Sequence, residues 1–287
     1  MTNRAPTCGV RFRAASRWWF ASGVALSALL IPMAVAASDP FDPPLKIRHV
    51  ELKPDPQNPH VKRRISCFYD RSIVVKQVDY GEVGAERLAL LPVLADNATP
   101  CRDGKESYEY EIPNDRWSGY FRGAKADYAF FDAPDGTNGG LGFMVLRVVD
   151  RKVLFEDTAE HGIQSIEVLD AGRLKLRYQR VYQGNCSAVS GGEPCRLTLS
   201  GDTGVATASL ASCGAGYVAA KQVMAKGRCA AQGSKQSDCL GRELAMLDEQ
   251  RWNEAPIVIV YEVEVTLGAA TPVITRRSDA LACRPSD

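Results

Sequence analysis

The chain has 287 residues, 45% of them hydrophobic and 24% charged, with 35 Lys and Arg against 34 Asp and Glu for a formal net charge of +1. A balance this even excludes the basic face that a nucleic-acid ligand requires to displace counterions, so no nucleic-acid partner is expected. The length suffices for a substantial apolar core, so any covalent cross-links would reinforce the fold and not substitute for one.

Residues 1–37 read as a secretory signal peptide. Arg4, Arg11, Arg13 and Arg17 form a basic lead without an acid, the run WWFASGVALSALLIPMAVAA follows, and small residues end it at Ala34, Val35, Ala36 and Ala37. Cleavage after Ala36 or Ala37 is expected. The alternative is a retained anchor, since Trp18 to Ala37 is just long enough to cross a bilayer, but Pro32 and the Ala-rich exit favour cleavage. Neither a lipoprotein cysteine after the apolar run nor a pair of arginines in the lead is present. The remainder, with 31 basic and 34 acidic residues, is expected to be secreted or periplasmic with no stable membrane span. Cys8 leaves with the leader. Eight cysteines stay: Cys67, Cys101, Cys186, Cys195, Cys213, Cys229, Cys239 and Cys283. An even number in an exported chain points to disulfides, although spacing alone leaves about 105 connectivities open. Pairing of neighbours would join Cys67 to Cys101, Cys186 to Cys195, Cys229 to Cys239 and Cys213 to Cys283. The close CxxC or CxxH pairs of a zinc site are missing.

Residues 38–60 carry DPFDPP and PDPQNP around the short run KIRHVEL. Proline cannot donate to a ladder, so this stretch reads as a proline-rich extended arm on the surface. From Val61 to Asp287 the pattern is that of a single β-rich domain. Val61, Ile65, Cys67 and Tyr69 share one parity, with KRR at 62–64 on a wet side, and SIVVKQV is a second strand. EVGAERLALLPVL fits a short helix and a buried strand equally. In SYEYEIP, Tyr108, Tyr110 and Ile112 alternate with acids, as in a strand with one face in water. RLKLRYQRVY sets Leu174, Leu176, Tyr178 and Tyr182 against Arg173, Lys175, Arg177 and Gln179, a half-buried antiparallel strand. The turn SGGE between Cys186 and Cys195 suggests a β-hairpin with cysteines facing across it. PIVIVYEVEVTL is a long strand whose first half is apolar on both faces. Between these last two runs the rhythm changes: YVAAKQVMAK and LGRELAMLDEQRW favour helix, with Leu240, Leu244 and Leu247 at helical spacing and Ser237 or Asp238 as N-cap. A helical insertion near 215–252, closed by Cys229 and Cys239, is therefore expected.

The segment 131–143, FDAPDGTNGGLGF, could be an oxygen-rich metal loop or a hairpin tip. It lies between two strand-like runs. Pro134 suits the first central position of a turn, and Asp-Gly and Asn-Gly accept positive φ. As a calcium loop it lacks side-chain oxygens at Pro134 and Gly136 and a closing glutamate. The turn is preferred, with Asp132, Asp135 and Asn138 kept as weak oxygen ligands.

Catalytic signatures are few. There is no G-x-S-x-G, HExxH, Walker loop or GxGxxG after a strand. Of the three histidines, His49 and His60 lie in or beside the arm, and His161 lies in a turn-like stretch near Asp157 and Glu160. Tyr108, Tyr110, Trp117, Tyr120, Phe121, Tyr128, Phe130 and Phe131 cluster in sequence. They could stack on a sugar or receive a protein loop, but alternating strand aromatics more commonly pack inward. Asn97 and Asn185 stand in glycosylation sequons. The expected fold is mainly β, with antiparallel sheets (sandwich or open propeller-like), an inserted helical hairpin and disulfide bracing. The expected role is an exported, non-catalytic binding or envelope-associated protein with a protein or carbohydrate ligand and no cofactor. The alternative is an extracytoplasmic, glycosidase-like hydrolase that uses strand-end carboxylates.

Overall fold

The computed structural model describes residues 39–81, 83–94, 99–233, 236–268 and 271–286, without the side chains of 236–238. The leader expected over 1–37, the sequon at Asn97 and the capping side chains of Ser237 and Asp238 lie outside that description. Two antiparallel sheets and a set of helices make up the fold. The first sheet has five strands in sequence order: β1 (Lys46–Glu51), β2 (Arg64–Tyr69), β3 (Val74–Asp79), β4 (Arg87–Leu91) and β5 (Tyr110–Ile112). The ambiguous run at 82–94 thus supplies a strand, because β4 pairs with β3 and β5 and is buried on both faces.

The second sheet runs β6 (Tyr120–Lys125), β7 (Tyr128–Thr137), β8 (Gly140–Arg147), β9 (Lys152–Val168), β10 (Leu174–Gln183) and β11 (Ile257–Leu267). Two short strands, β12 (Val273–Arg276) and β13 (Ala282–Pro285), share the outer edge of β11. Alternation sets its faces as the sequence predicts. Leu174, Leu176 and Tyr178 join Ile257, Ile259, Tyr261, Val263, Val265 and Leu267 in one core with Tyr128, Phe130, Phe143 and Phe155. The Tyr128 hydroxyl donates to the Gly172 carbonyl at the β9–β10 turn, 2.5 Å away, so the sheet curls about this core. It does not close into a barrel. On the opposite face, Ala129, Phe131, Met144 and Leu146 meet Val75, Leu88, Leu90 and Ile112 of the first sheet in a sandwich layer. The aromatic run is consumed here: Phe131 is buried, and Tyr110, Trp117, Tyr120 and Phe121 pack against the layer.

The outer face of the first sheet has its own core, Ile65, Cys67, Tyr69, Val74, Val78, Ala89 and Leu91. The segment between β4 and β5 covers it, pinned by the Cys67–Cys101 disulfide and by the Tyr69 hydroxyl donating to the Thr99 carbonyl at 2.8 Å. SYEYEIP departs from its expected pattern under this cover. Tyr108 is exposed, and Glu109 is buried, its carboxylate 2.5 Å from the equally buried Lys76 ammonium. The lid turns at Glu106, whose carbonyl accepts the Glu109 N–H. That turn drives the acid into the sheet, and only Tyr110–Ile112 continues as strand.

A second correction concerns Cys186 and Cys195. They are bonded, but the segment beyond SGGE is a helix, α1 (Gly192–Thr203), and not a hairpin strand. Both edges of β10 are already taken, by β9 and β11, so no ladder is open to it. Pro194 needs no donor in the first turn, Cys195 and Leu199 bury one side, and Gly204 ends the helix at positive φ. The helical part is therefore larger than expected. After a short α2 (Thr207–Leu210) come α3 (Cys213–Ala231) and α4 (Gln236–Glu249), joined by Cys229–Cys239. The disulfide rotates α4 so that Cys239, Glu243 and Leu247 face inward while Leu240 and Leu244 are only half-buried. Glu243 accepts from Gln232 Nε2 at 2.9 Å. Cys213–Cys283 ties α3 to β13, where the Gly216 backbone lies too close to the Cys283 carbonyl to admit a side chain. The four bonds are the four pairs expected from the sequence, and four disulfides suggest an oxidising, extracytoplasmic environment. Among the described residues no helix is long and apolar enough to cross a membrane.

Candidate functional site

The segment 131–143 is a hairpin. β7 continues to Thr137, and Asn138 and Gly139, both at positive φ, form a two-residue turn before β8 begins at Gly140. Pro134 is not a central turn residue as expected; it lies in a bulge, where residues 133–135 of β7 face a single residue of β8. This separates the three oxygen candidates. Asp132 points toward Arg122, 3.8 Å away; Asp135 is exposed; and Asn138 donates from Nδ2 to Gln183 Oε1 at 2.8 Å. No group of three or more His, Cys, Asp or Glu side chains arranged for a metal occurs among the described residues.

The β7 bulge is one of three ladder interruptions around a single cleft. In β6 the register shifts between Phe121 and Gly123, so Arg122 is the extra residue. In β9, residues 160–162, between Ala159 and Ile163, face the single Gln179 of β10, between Arg180 and Tyr178, and Gly162 has positive φ. A bulged residue leaves the pleat and can be aimed sideways. The result is a cleft of 210 Å³ with Phe41, Leu141 and Phe143 as apolar wall and Arg122, Asp132, Glu160 and His161 as polar lining. Burial raises the Asp132 carboxyl above its ordinary value, against the opposing effect of Arg122. Glu160 is held by Arg284, 2.7 Å away, and lies 3.8 Å from the exposed His161 ring. No serine, threonine or cysteine is in the lining, so no side-chain hydroxyl or thiol of those residues stands beside His161. His49 instead shares a hydrogen bond with Ser66, at 2.9 Å.

A second cleft of 410 Å³ lies on the other side of Phe41 and shares Arg122 with the first. It is lined by Pro43, Pro44, Ile47, Phe68, Asp70 and Phe121 among others. Burial, and next the charge of Asp42, raise the Asp70 carboxyl. Phe41 is the partition between the clefts. Its ring lies over Gly123, where a Cβ would come within 2.6 Å of it. It meets Phe130 edge-on at 5.2 Å between centroids, and the Arg122 guanidinium stands 5.2 Å from its centre. The proline-rich arm is therefore not wholly superficial. Phe41 is buried in the main core, and Lys46–Glu51 forms the edge strand of the first sheet.

Deeper in the same sheet, Asp157 accepts from the Tyr178 hydroxyl and lies 2.9 Å from Arg180. Burial first, and then Asp157, push the Tyr178 hydroxyl far above its ordinary pKa. These groups satisfy one another and brace β9 against β10.

Residue types alone did not mark Phe41 or Arg122. The readable signals were Gly123, Gly136 and Gly162, glycines inside strand patterns, which signify bulges or a close approach. No family model matches the chain, and neither a curated protein nor a solved structure of significant similarity is found.

Proposed function

We propose that this is an exported binding protein, secreted or periplasmic, that takes a small ligand in the paired clefts beside Phe41 without transforming it. The observation that carries this reading is the convergence of two strand bulges, in β6 and β9, on one apolar-walled cleft. Ladder bonds are given up at Arg122 and at 160–162, and these two interruptions bring Arg122, Glu160 and His161 to a cleft that Asp132 also lines, beside the 133–135 bulge. Apolar walls with a few convergent polar groups are the usual composition of a ligand site. Arg122 is the fixed charge of the lining, and Asp132 is a half-buried carboxyl whose ionisation burial opposes and Arg122 favours.

The test is ligand-observed NMR of the mature chain against a panel of sugars, aromatic acids and aromatic amines. Binding that Arg122→Ala weakens at least tenfold supports the reading; a panel without a hit, or hits indifferent to Arg122→Ala, refutes it. A hydrolytic reading has one observation in its favour, since Asp132 and Glu160 are two carboxylates in one cleft and burial raises the first. Release of reducing sugar from a glycoside panel, lost in Asp132→Asn and Glu160→Gln, would replace binding with catalysis.

A further inference from the structure

The arm that carries Phe41 is fixed by few bonds. Pro40, Pro43 and Pro44 have no N–H to give, and the Phe41 N–H turns back on Asp39 at 3.3 Å. Among the described residues, before Leu45 joins Tyr69 at the start of the first sheet, the arm meets the second sheet at an isolated antiparallel bridge between Asp42 and Ala124, the Asp42 N–H donating to the Ala124 carbonyl at 2.8 Å. The Asp42 carboxylate completes the latch, accepting from Lys125 Nζ at 2.7 Å and from the Ala126 N–H at 3.1 Å. Burial alone would raise the Asp42 carboxyl, but these donors outweigh it and hold it below its ordinary value. Opening the latch leaves β1 paired.

The seat, by contrast, belongs to the sheet. Gly123 leaves a gap as wide as a ring, Phe130 supplies an edge contact and Arg122 a cation facing the π surface. The clefts on either side, of 210 and 410 Å³, leave room for substituents. We infer that the seat over Gly123 is a binding site for the planar aromatic ring of a small molecule, and that Phe41 is its built-in competitor, displaced when the ligand enters. This rests on the binding reading above and names the ligand class. A protein whose competent state is only partly populated shows an affinity reduced by that fraction, so loosening the latch strengthens binding without altering the seat.

The experiment titrates indole into the mature wild-type chain, Asp42→Ala and Gly123→Val, with hydrogen exchange of the Asp42 amide read in parallel. Asp42→Ala keeps Phe41 and creates no cavity at the seat; it is expected to bind indole about 3- to 10-fold more tightly, the effect of one or two lost partly exposed hydrogen bonds. Saturating indole is expected to speed exchange of the wild-type Asp42 amide, a readout that requires no variant to fold. Gly123→Val fills the seat and is expected to lose indole. Unchanged affinity in Asp42→Ala, with an Asp42 amide equally protected with and without indole, overturns the proposal, as does indole binding indifferent to Gly123→Val. The Arg122→Ala panel tests the clefts with the arm in place, and the latch variant tests displacement, so each reading can fail separately.

Discussion

Lys76 and Glu109 are both nearly inaccessible to solvent, with side-chain exposures of 1% and 0%, and 2.5 Å apart. Their removal one at a time and together probes what holds the lid over the first sheet. In Glu109→Leu the Lys76 ammonium keeps, among the described residues, the Gly104 carbonyl at 2.8 Å. In Lys76→Met the Glu109 carboxylate keeps the Glu106 N–H at 3.2 Å and Arg87 at 3.8 Å. Breaking a buried pair from one side leaves an uncompensated charge and costs roughly 3–5 kcal/mol. Glu109→Leu should fall at the upper end of that range and Lys76→Met at the lower, because Arg87 partly compensates. The double variant strands no charge and should stand within about 1–2 kcal/mol of wild type. Guanidinium unfolding without reductant measures this, provided the slope is unchanged, so that midpoint shifts report stability. Single variants each costing under about 1 kcal/mol, or a double variant as unstable as the sum of the singles, would refute the claim that the pair is desolvated and mutually dependent.

The disulfides should differ in weight by the chain they close. Removing Cys213–Cys283, separated by 70 residues, by a double serine substitution should cost roughly 4 kcal/mol, against roughly 3 kcal/mol for Cys186–Cys195, separated by 9; denaturant midpoints in the reverse order would count against the loop-entropy account. Asp132→Asn should stabilise the protein at neutral pH. The folded carboxyl titrates above its ordinary 3.8, so between that value and the raised one the native state holds a proton the unfolded chain has lost, and stability falls as pH rises. Thermal unfolding should show the advantage of the variant growing across that window and vanishing below it; an advantage independent of pH would show that burial of the charge is not its cause.

Much of the architecture follows from local pattern. Alternation in RLKLRYQRVY and PIVIVYEVEVTL fixed which side of β10 and β11 meets the core, since a half-buried strand admits only one parity. Asn138-Gly139 is a turn because few other residue pairs accept two successive positive φ angles. The helical hairpin closed by Cys229 and Cys239 was readable from helix-favouring composition. Three of the four disulfides join cysteines adjacent in sequence order, whereas Cys213–Cys283 spans 70 residues and encloses Cys229–Cys239; spacing suggested these pairs, and only the folded chain could select them. Tertiary context also decided everything concerning the clefts. Glu109 looks like a surface acid until a cross-linked lid carries it onto Lys76, and the stretch after SGGE turns helical because both edges of β10 are occupied. Arg122, Asp132, Glu160 and Phe41 lie on four separate segments, and they meet because bulges re-aim Arg122 and Glu160 and the arm docks Phe41 beside them. Local preferences act over a turn or a strand and are written in order along the chain; a site made by register shifts in two strands and one docked arm exists only once the sheet has curled.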